Sequence, residues 1–161
     1  MNLNITILKK EEIELFNLSE DLAFETQAKY FKDGILPGPR EEDKDDYDLN
    51  KIIDNPKFTI LGIYDNGKFI GGSIVEEMGN NIKEINIFFI CVEYQGKGVG
   101  KMALEMIENY FKDTKVFRLI TPSQVIRNAL FYINRCGYNI VEVVDYNKEE
   151  NTCDFVFEKR R

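Results

Sequence analysis

Histidine is missing from all 161 residues, and with it go Ser-His-Asp and Cys-His nucleophilic catalysis and most zinc sites. Acid–base chemistry in this chain falls to Glu, Asp, Tyr, Lys or water, and no resident metal is expected. Cysteine is scarce: Cys91, Cys136 and Cys153 are widely scattered, form no C-x-x-C pair and each lie in an apolar segment, which reads as three buried thiols. A general excess of basic residues is lacking too. The 21 Lys and Arg against 28 Asp and Glu give a net charge of −7, so the electrostatic footprint of a nucleic-acid binder is absent. No apolar run approaches the roughly 18 to 20 residues that span a bilayer, and the N-terminus lacks the basic-then-apolar layout of a signal peptide. The expected setting is the cytoplasm, with neither nucleic acid nor membrane as partner.

What is present is the composition of an ordinary globular protein, 43% apolar and 30% charged. The length suits one domain over residues 1–161 with a core of its own. Ile5 to Leu8 reads as a first strand, followed by a short helical pattern in Ile13, Phe16 and Leu18. Ser19, followed by Glu20 and Asp21, has the form of an N-cap and predicts a helix near 20 to 32, stopped by Gly34. Leu36-Pro37-Gly38-Pro39-Arg40 and the acidic Glu41 to Asp48 predict a long loop.

Asp65-Asn66-Gly67-Lys68 between the β-branched and aromatic runs Phe58 to Tyr64 and Phe69 to Val75 predicts a hairpin. A second turn at Gly79-Asn80-Asn81 leads into Ile82 to Val92, a long strand of central character. Val99, Met102, Ala103, Met106, Ile107 and Tyr110 then recur at helical spacing. Val116 to Ile120 is a strand, Ile126 to Arg135 a helix with Leu130 and Ile133 inward, and Gly137 its cap. Tyr138 to Val144 and Cys153 to Glu158 close the chain as strands, the latter a candidate edge for pairing in a homodimer, with a monomer equally open. The whole is an α+β fold: one central, mostly antiparallel sheet of six to seven strands with helices on both faces.

The segment Gln95-Gly96-Lys97-Gly98-Val99-Gly100 lies where a strand passes at once into a helix. Glycines allow a phosphate to approach the backbone closely, the first helical amides lack intrahelical acceptors, and Lys97 and Lys101 add positive charge to an acidic protein. A diphosphate is the natural guest. A Walker A loop would need glycine where Gln95 stands and a hydroxyl where Met102 stands. A dinucleotide fingerprint would need G-x-G-x-x-G after a βαβ unit, and neither the spacing nor the hairpins allow it.

These residues resemble the GNAT N-acetyltransferase superfamily, whose cofactor signature is a strand, then [Gln/Arg]-x-x-Gly-x-[Gly/Ala], then a helix. Phe131-Tyr132 and Gly137-Tyr138 resemble the family's second signature, and the likeness extends over Ile60 to Tyr138. The resemblance implies a GNAT-type fold and acetyl-CoA as cosubstrate. It implies that Ile90, Cys91 and Val92 lie along the pantetheine arm, the first and last through their backbone groups, and that Gln95, Gly96, Lys97, Gly98, Val99, Gly100 and Lys101 hold the diphosphate. Tyr132, beside Phe131, would protonate the leaving thiolate. Many members carry Asn seven residues and Ala four residues before that tyrosine; here Val125 and Asn128 stand there, and Asn128, one turn from Tyr132, is the candidate replacement.

Acetylating an amine requires the neutral nucleophile, while a free alkyl ammonium has a pKa of about 10.4, so a base or water chain is needed. Glu84 occupies the place some family members use for a catalytic glutamate. With unbroken alternation it shares a face with Asn86, Phe88 and Ile90, a parity that a bulge would break. The expected acceptor is a primary amine of a small molecule or peptide, which the acidic Glu41 to Asp48 would favour if cationic. The alternative function on the same residues is a non-catalytic acyl-CoA-binding module.

Overall fold

The computed structural model describes residues 1–34 and 47–161; the turn-rich segment 35–40 and most of the acidic stretch, residues 41–46, lie outside them. Seven strands form one mixed sheet in the order β1-β2-β3-β4-β5-β7-β6. They are β1 (Leu3–Ile7), β2 (Phe58–Asp65), β3 (Lys68–Gly79), β4 (Ile82–Ile90), β5 (Val116–Pro122), β6 (Asn139–Asn147) and β7 (Thr152–Arg160). Among the described residues four helices cover it: α1 (Ile13–Glu25), the one-turn α2 (Leu49–Ile52), α3 (Val99–Tyr110) and α4 (Ile126–Cys136). No helix among the described residues is long and apolar enough to cross a membrane.

The β2–β3 hairpin turns on Asn66 and Gly67, with φ of 49° and 82°, and two consecutive positive φ values match the right-handed twist of the flanking strands. Asn80 and Asn81 do the same between β3 and β4, at 53° and 60°. On one face of the sheet, α3 and α4 pack on Leu61, Ile63, Ile85, Ile90, Phe117, Leu119 and Phe157. On the other, Phe16 and Ala23 of α1 and Leu49 and Ile52 of α2 pack on Ile60, Ile74 and Phe89. Gly72 is required there: a Cβ would collide with the Phe16 ring.

Two features of β4 position the site. Its only parallel pairing, with β5, lasts three rungs, Ile82↔Val116, Lys83↔Phe117 and Glu84↔Arg118. Past them the strands part, leaving a wedge with unpaired backbone along both walls. The second feature is a bulge: Ile74 pairs with Ile87 and Val75 with Ile85, so Asn86 is the extra residue.

The structure departs from the sequence-based expectations in four places. The helix expected near 20 to 32 is instead α1, a single run that begins at Ile13 and passes through Ser19. Ile13, Phe16 and Ala23 form one buried stripe, and its burial outweighs the capping preference of Ser19, while Leu18 faces solvent at 59%. In α4 the buried residues are Ala129, Tyr132 and Cys136, and Leu130 and Ile133 are exposed at 53% and 41%. The Tyr132 ring, packed edge-on against Tyr138 and tilted against Phe157, sets that helical phase. β7 is not an edge, because it lies between β5 and β6 and leaves β6 outermost. Cys153 is half-buried, unlike the buried Cys91 and Cys136.

Candidate active site

At the end of β4 the Cys91 amide donates to the Ile70 carbonyl at 2.8 Å. Alternation along an antiparallel ladder then turns the backbone groups of Phe88 and Ile90 the other way, into the wedge facing β5. The Ile90 carbonyl is already taken by the Gln95 side chain, whose Nε2 donates to it at 2.8 Å. Gln95 thus clamps the glycine loop to the strand that precedes it. Between them Val92–Tyr94 make a 3-10 turn, and the Gln95 amide returns to the Val92 carbonyl at 3.2 Å.

Gly96 and Gly98 have φ of 72° and 79°, conformations that glycine adopts without strain. Helical bonding starts at Met102, whose amide donates to the Gly98 carbonyl at 3.5 Å. The amides of Gly96, Lys97, Gly98, Val99, Gly100 and Lys101 therefore have no protein acceptor among the described residues. They lie at the positive end of the α3 dipole. α4 packs beside Gly100: a Cβ there would stand 3.4 Å from Phe131 Cζ, an ordinary van der Waals contact. The lysines lie at the periphery, with Lys97 Nζ donating to the Glu93 carbonyl at 2.7 Å and Lys101 pairing with Glu105 at 3.7 Å.

Across the wedge, α4 presents Asn128, Phe131 and Tyr132. Asn128 Nδ2 donates to Thr121 Oγ1 of β5 at 3.3 Å, which pins α4 to the diverging strand. Val125, at the position where many family members carry asparagine, is fully buried. The Tyr132 hydroxyl has no hydrogen-bond partner among the described residues, and burial, with Cys136 beside it, pushes its pKa well above the ordinary tyrosine value. A cavity of about 700 Å³ fills the wedge.

This cavity brings together Ile90, Gln95, Gly96, Gly98, Gly100, Lys101, Asn128, Phe131 and Tyr132. Cys91 turns its side chain into the α1 layer, Val99 is buried in the α3 core, and Val92 and Lys97 point outward. Sequence reasoning missed Ala23 and Phe24 of α1, Gln27 just beyond it, Asn86 and Arg127, all of which line the cavity. Arg127 Nη2 donates to Thr26 Oγ1 at 2.8 Å and ties α4 to α1; its place directly before Asn128 was the one available signal. Asn86 is the bulged residue, invisible to any pattern of alternation.

The bulge also relocates Glu84. Ile85 belongs to the layer under α3 and α4, as do Phe88 and Ile90, whereas Ile87 and Phe89 face α1. Parity flips at Asn86, so Glu84 faces the α1 side together with its cross-strand partner Glu76 and does not share a face with Phe88 and Ile90. Its carboxylate lies 3.1 Å from Arg118 Nε, an ion pair by distance whose alignment falls short of a hydrogen bond. Burial raises the Glu84 pKa, Arg118 opposes the rise and Glu76 adds to it. Glu84 is not part of the cavity wall.

A mixed sheet split between its fourth and fifth strands, with a glycine loop at the split, defines a GNAT-type fold. The model of the acetyltransferase (GNAT) family matches residues 20–138, and the chain belongs to that family. It is similar to the uncharacterized protein YrkN of Bacillus subtilis, 31% identical over 121 residues. That match spans 74% of this chain and 60% of the relative. Among solved structures, the PaiA N-acetyltransferase of Thermoplasma acidophilum in complex with coenzyme A superposes with a TM-score of 0.72 at 20% identity, over 100% of both chains. The spermidine N-acetyltransferase of Vibrio cholerae, in complex with CoA and spermine, gives 0.73 at 13% identity over 99% of this chain and 95% of the other.

Proposed function

We propose that residues 1–161 form one domain that moves the acetyl group of acetyl-CoA to a primary amine of a small molecule or peptide by direct attack. The observation that carries this reading is the run of six amides from Gly96 to Lys101 with no acceptor among the described residues, in a loop whose Gly96, Gly98, Gly100 and Lys101 line the same cavity as Tyr132. Acetyl-CoA supplies an acyl group activated as a thioester, a diphosphate and an extended pantetheine arm. The loop amides and the α3 dipole suit the diphosphate, and the open edge of β4 at Phe88 and Ile90 suits an arm laid as an extra strand, with Cys91 and Val92 closing that edge. Asn128 and Phe131 hold the far wall.

Tyr132 is the proton donor to the departing thiolate. Its raised pKa keeps the phenol protonated at neutral pH, which is the state an acid must hold. Glu84 has a positioning part in this reading: through Arg118 it fixes the last rung before β4 and β5 diverge. The acceptor enters from the α1 side, and a cationic amine fits a protein of net charge −7.

Thiol release, followed colorimetrically with acetyl-CoA and an amine panel, tests the assignment. Release that depends on both acetyl-CoA and an amine supports it. A thermal shift with acetyl-CoA and no release with any amine would leave a non-catalytic acyl-CoA-binding module. No shift and no release would remove both readings.

A further inference from the structure

Resting on that reading, we propose that Glu20 of α1 is the carboxylate that receives the acceptor's ammonium group and takes its proton. Glu20 lies three and four residues before Ala23 and Phe24, which line the cavity, and this spacing puts the three on one stripe of α1. One helical turn, about 5 Å, separates Glu20 from the cavity wall, a distance spanned by one water or by the acceptor's own chain. The same stripe carries Phe16, fully buried, and Ala23, at 3%.

Among the described residues Glu20 has no structural partner. None of them pairs with it or donates a hydrogen bond to it, and the charge that acts on it from among them is the like charge of Asp21. α1 packs on β3 and β4, whose titratable groups on that face, by register, are Glu76, Glu84 and Cys91. Lys57 is paired with Glu76 and Arg118 with Glu84, while Arg127 donates to the neutral Thr26 hydroxyl. A largely buried carboxylate without a counter-charge destabilises the fold, and no described residue supplies one to Glu20, a need that a cationic guest meets. Burial raises its pKa to about 7, Asp21 adding to the effect, which suits a base working at neutral pH.

The step balances as follows. An N–H bond of the ammonium breaks and an O–H bond forms on Glu20. The freed lone pair attacks the thioester carbonyl carbon, so that C–N forms and C–S breaks, while Tyr132 protonates the departing sulfur. The proton shed by the acylated nitrogen restores the phenol, and Glu20 returns its proton to solvent.

Glu20→Gln separates this assignment from the function it rests on. Butylamine and 1,4-diaminobutane serve as probes, with isothermal titration at pH 8 beside turnover from pH 5.5 to 9. The expected result is unchanged affinity for coenzyme A, amine affinity at least tenfold weaker, kcat/KM at least a hundredfold lower, and loss of the rising limb near pH 7. Glu20→Asp recovers part of the loss. Amine binding to the wild type that Glu20→Gln weakens, with no thiol release from either protein, upholds Glu20 as the amine site while the transferase reading fails. Turnover by Glu20→Gln within twofold of wild type, with the pH limb intact, overturns the Glu20 assignment and leaves the transferase. So does a limb that vanishes in Glu84→Gln but not in Glu20→Gln. If neither amine binds the wild type, the assignment is overturned as well.

Discussion

Replacing Gly98 by valine tests the anion cradle where its backbone is most demanding. Gly98 precedes α3 with φ of 79°, and nothing lies within 4 Å of a Cβ built there, so a side chain meets no neighbour and the cost comes from the backbone alone. Holding a β-branched residue in the left-handed region costs about 1–3 kcal/mol. That cost has two outlets. If the loop keeps its shape in the free protein, stability falls by the strain, offset by roughly 0.4–1 kcal/mol from a stiffer unfolded chain, and Tm drops by several degrees. If the loop relaxes to negative φ, its amides turn away, and the strain returns on binding as a coenzyme A Kd about 5- to 150-fold weaker. Asparagine tolerates this region, so Gly98→Asn should retain most of both properties. Thermal melts and isothermal titration with coenzyme A read the two outlets on the same samples. Wild-type Tm and wild-type Kd together in Gly98→Val would refute the cradle, as would Gly98→Asn behaving no better than Gly98→Val.

Tyr132→Phe should lower kcat by about 10²- to 10⁴-fold, the usual worth of a general acid, with coenzyme A affinity intact; pre-steady-state thiol release checks it, and an unchanged rate across pH removes the assignment. Glu108→Ala strips the buried partner of the Tyr138 hydroxyl at 3.0 Å and of Lys159 at 2.7 Å, which ties α3 to β7. A loss of about 2–4 kcal/mol is expected in urea unfolding, the lower part of the range because Lys159 is partly solvated. For Glu20 the folded pKa of about 7 stands above the ordinary 4.5, so the fold favours the protonated acid. Its contribution is harmless below pH 4.5 and increasingly destabilising as pH rises to 7, by on the order of 3 kcal/mol. Glu20→Gln should therefore melt several degrees above wild type at pH 8 and level with it at pH 4.5; a constant difference across that range would contradict the burial argument.

The parts of the molecule legible in the sequence are those decided by local physics. The Asn66-Gly67 turn, the amphipathic α3 and the glycine loop each rest on residues whose conformational demands few other structures satisfy. What escaped was set by long-range packing. Ser19 carries the chemistry of a cap, yet the stripe from Ile13 to Ala23 has a sheet to bury against, and capping is worth less than that burial. The phase of α4 was misread for a related reason. Leu130 and Ile133 are the larger aliphatics, but Tyr132 finds aromatic partners in Tyr138 and Phe157, which lie close only once β6 and β7 have formed.

The bulge at Asn86 carries the largest functional consequence of any such feature. A single extra residue moves Glu84 to the opposite face, places it beside Arg118 and draws Asn86 toward Glu76, with Nδ2 and Oε2 2.6 Å apart. Burial raises the Glu84 pKa while Arg118 holds it down. With Glu84 outside the cavity wall, the proposed base on the acceptor side is Glu20, which has no counter-charge among the described residues. Because Ile85 and Ile87 already lie on opposite faces, deleting Asn86 would restore regular alternation and leave Glu84 on the α1 face beside Arg118. Such a deletion variant should lose the Asn86–Glu76 hydrogen bond and keep the coenzyme A affinity of the wild type. An affinity lowered at least tenfold in that variant, with the far-ultraviolet spectrum retained, would show that the wedge depends on the bulge itself.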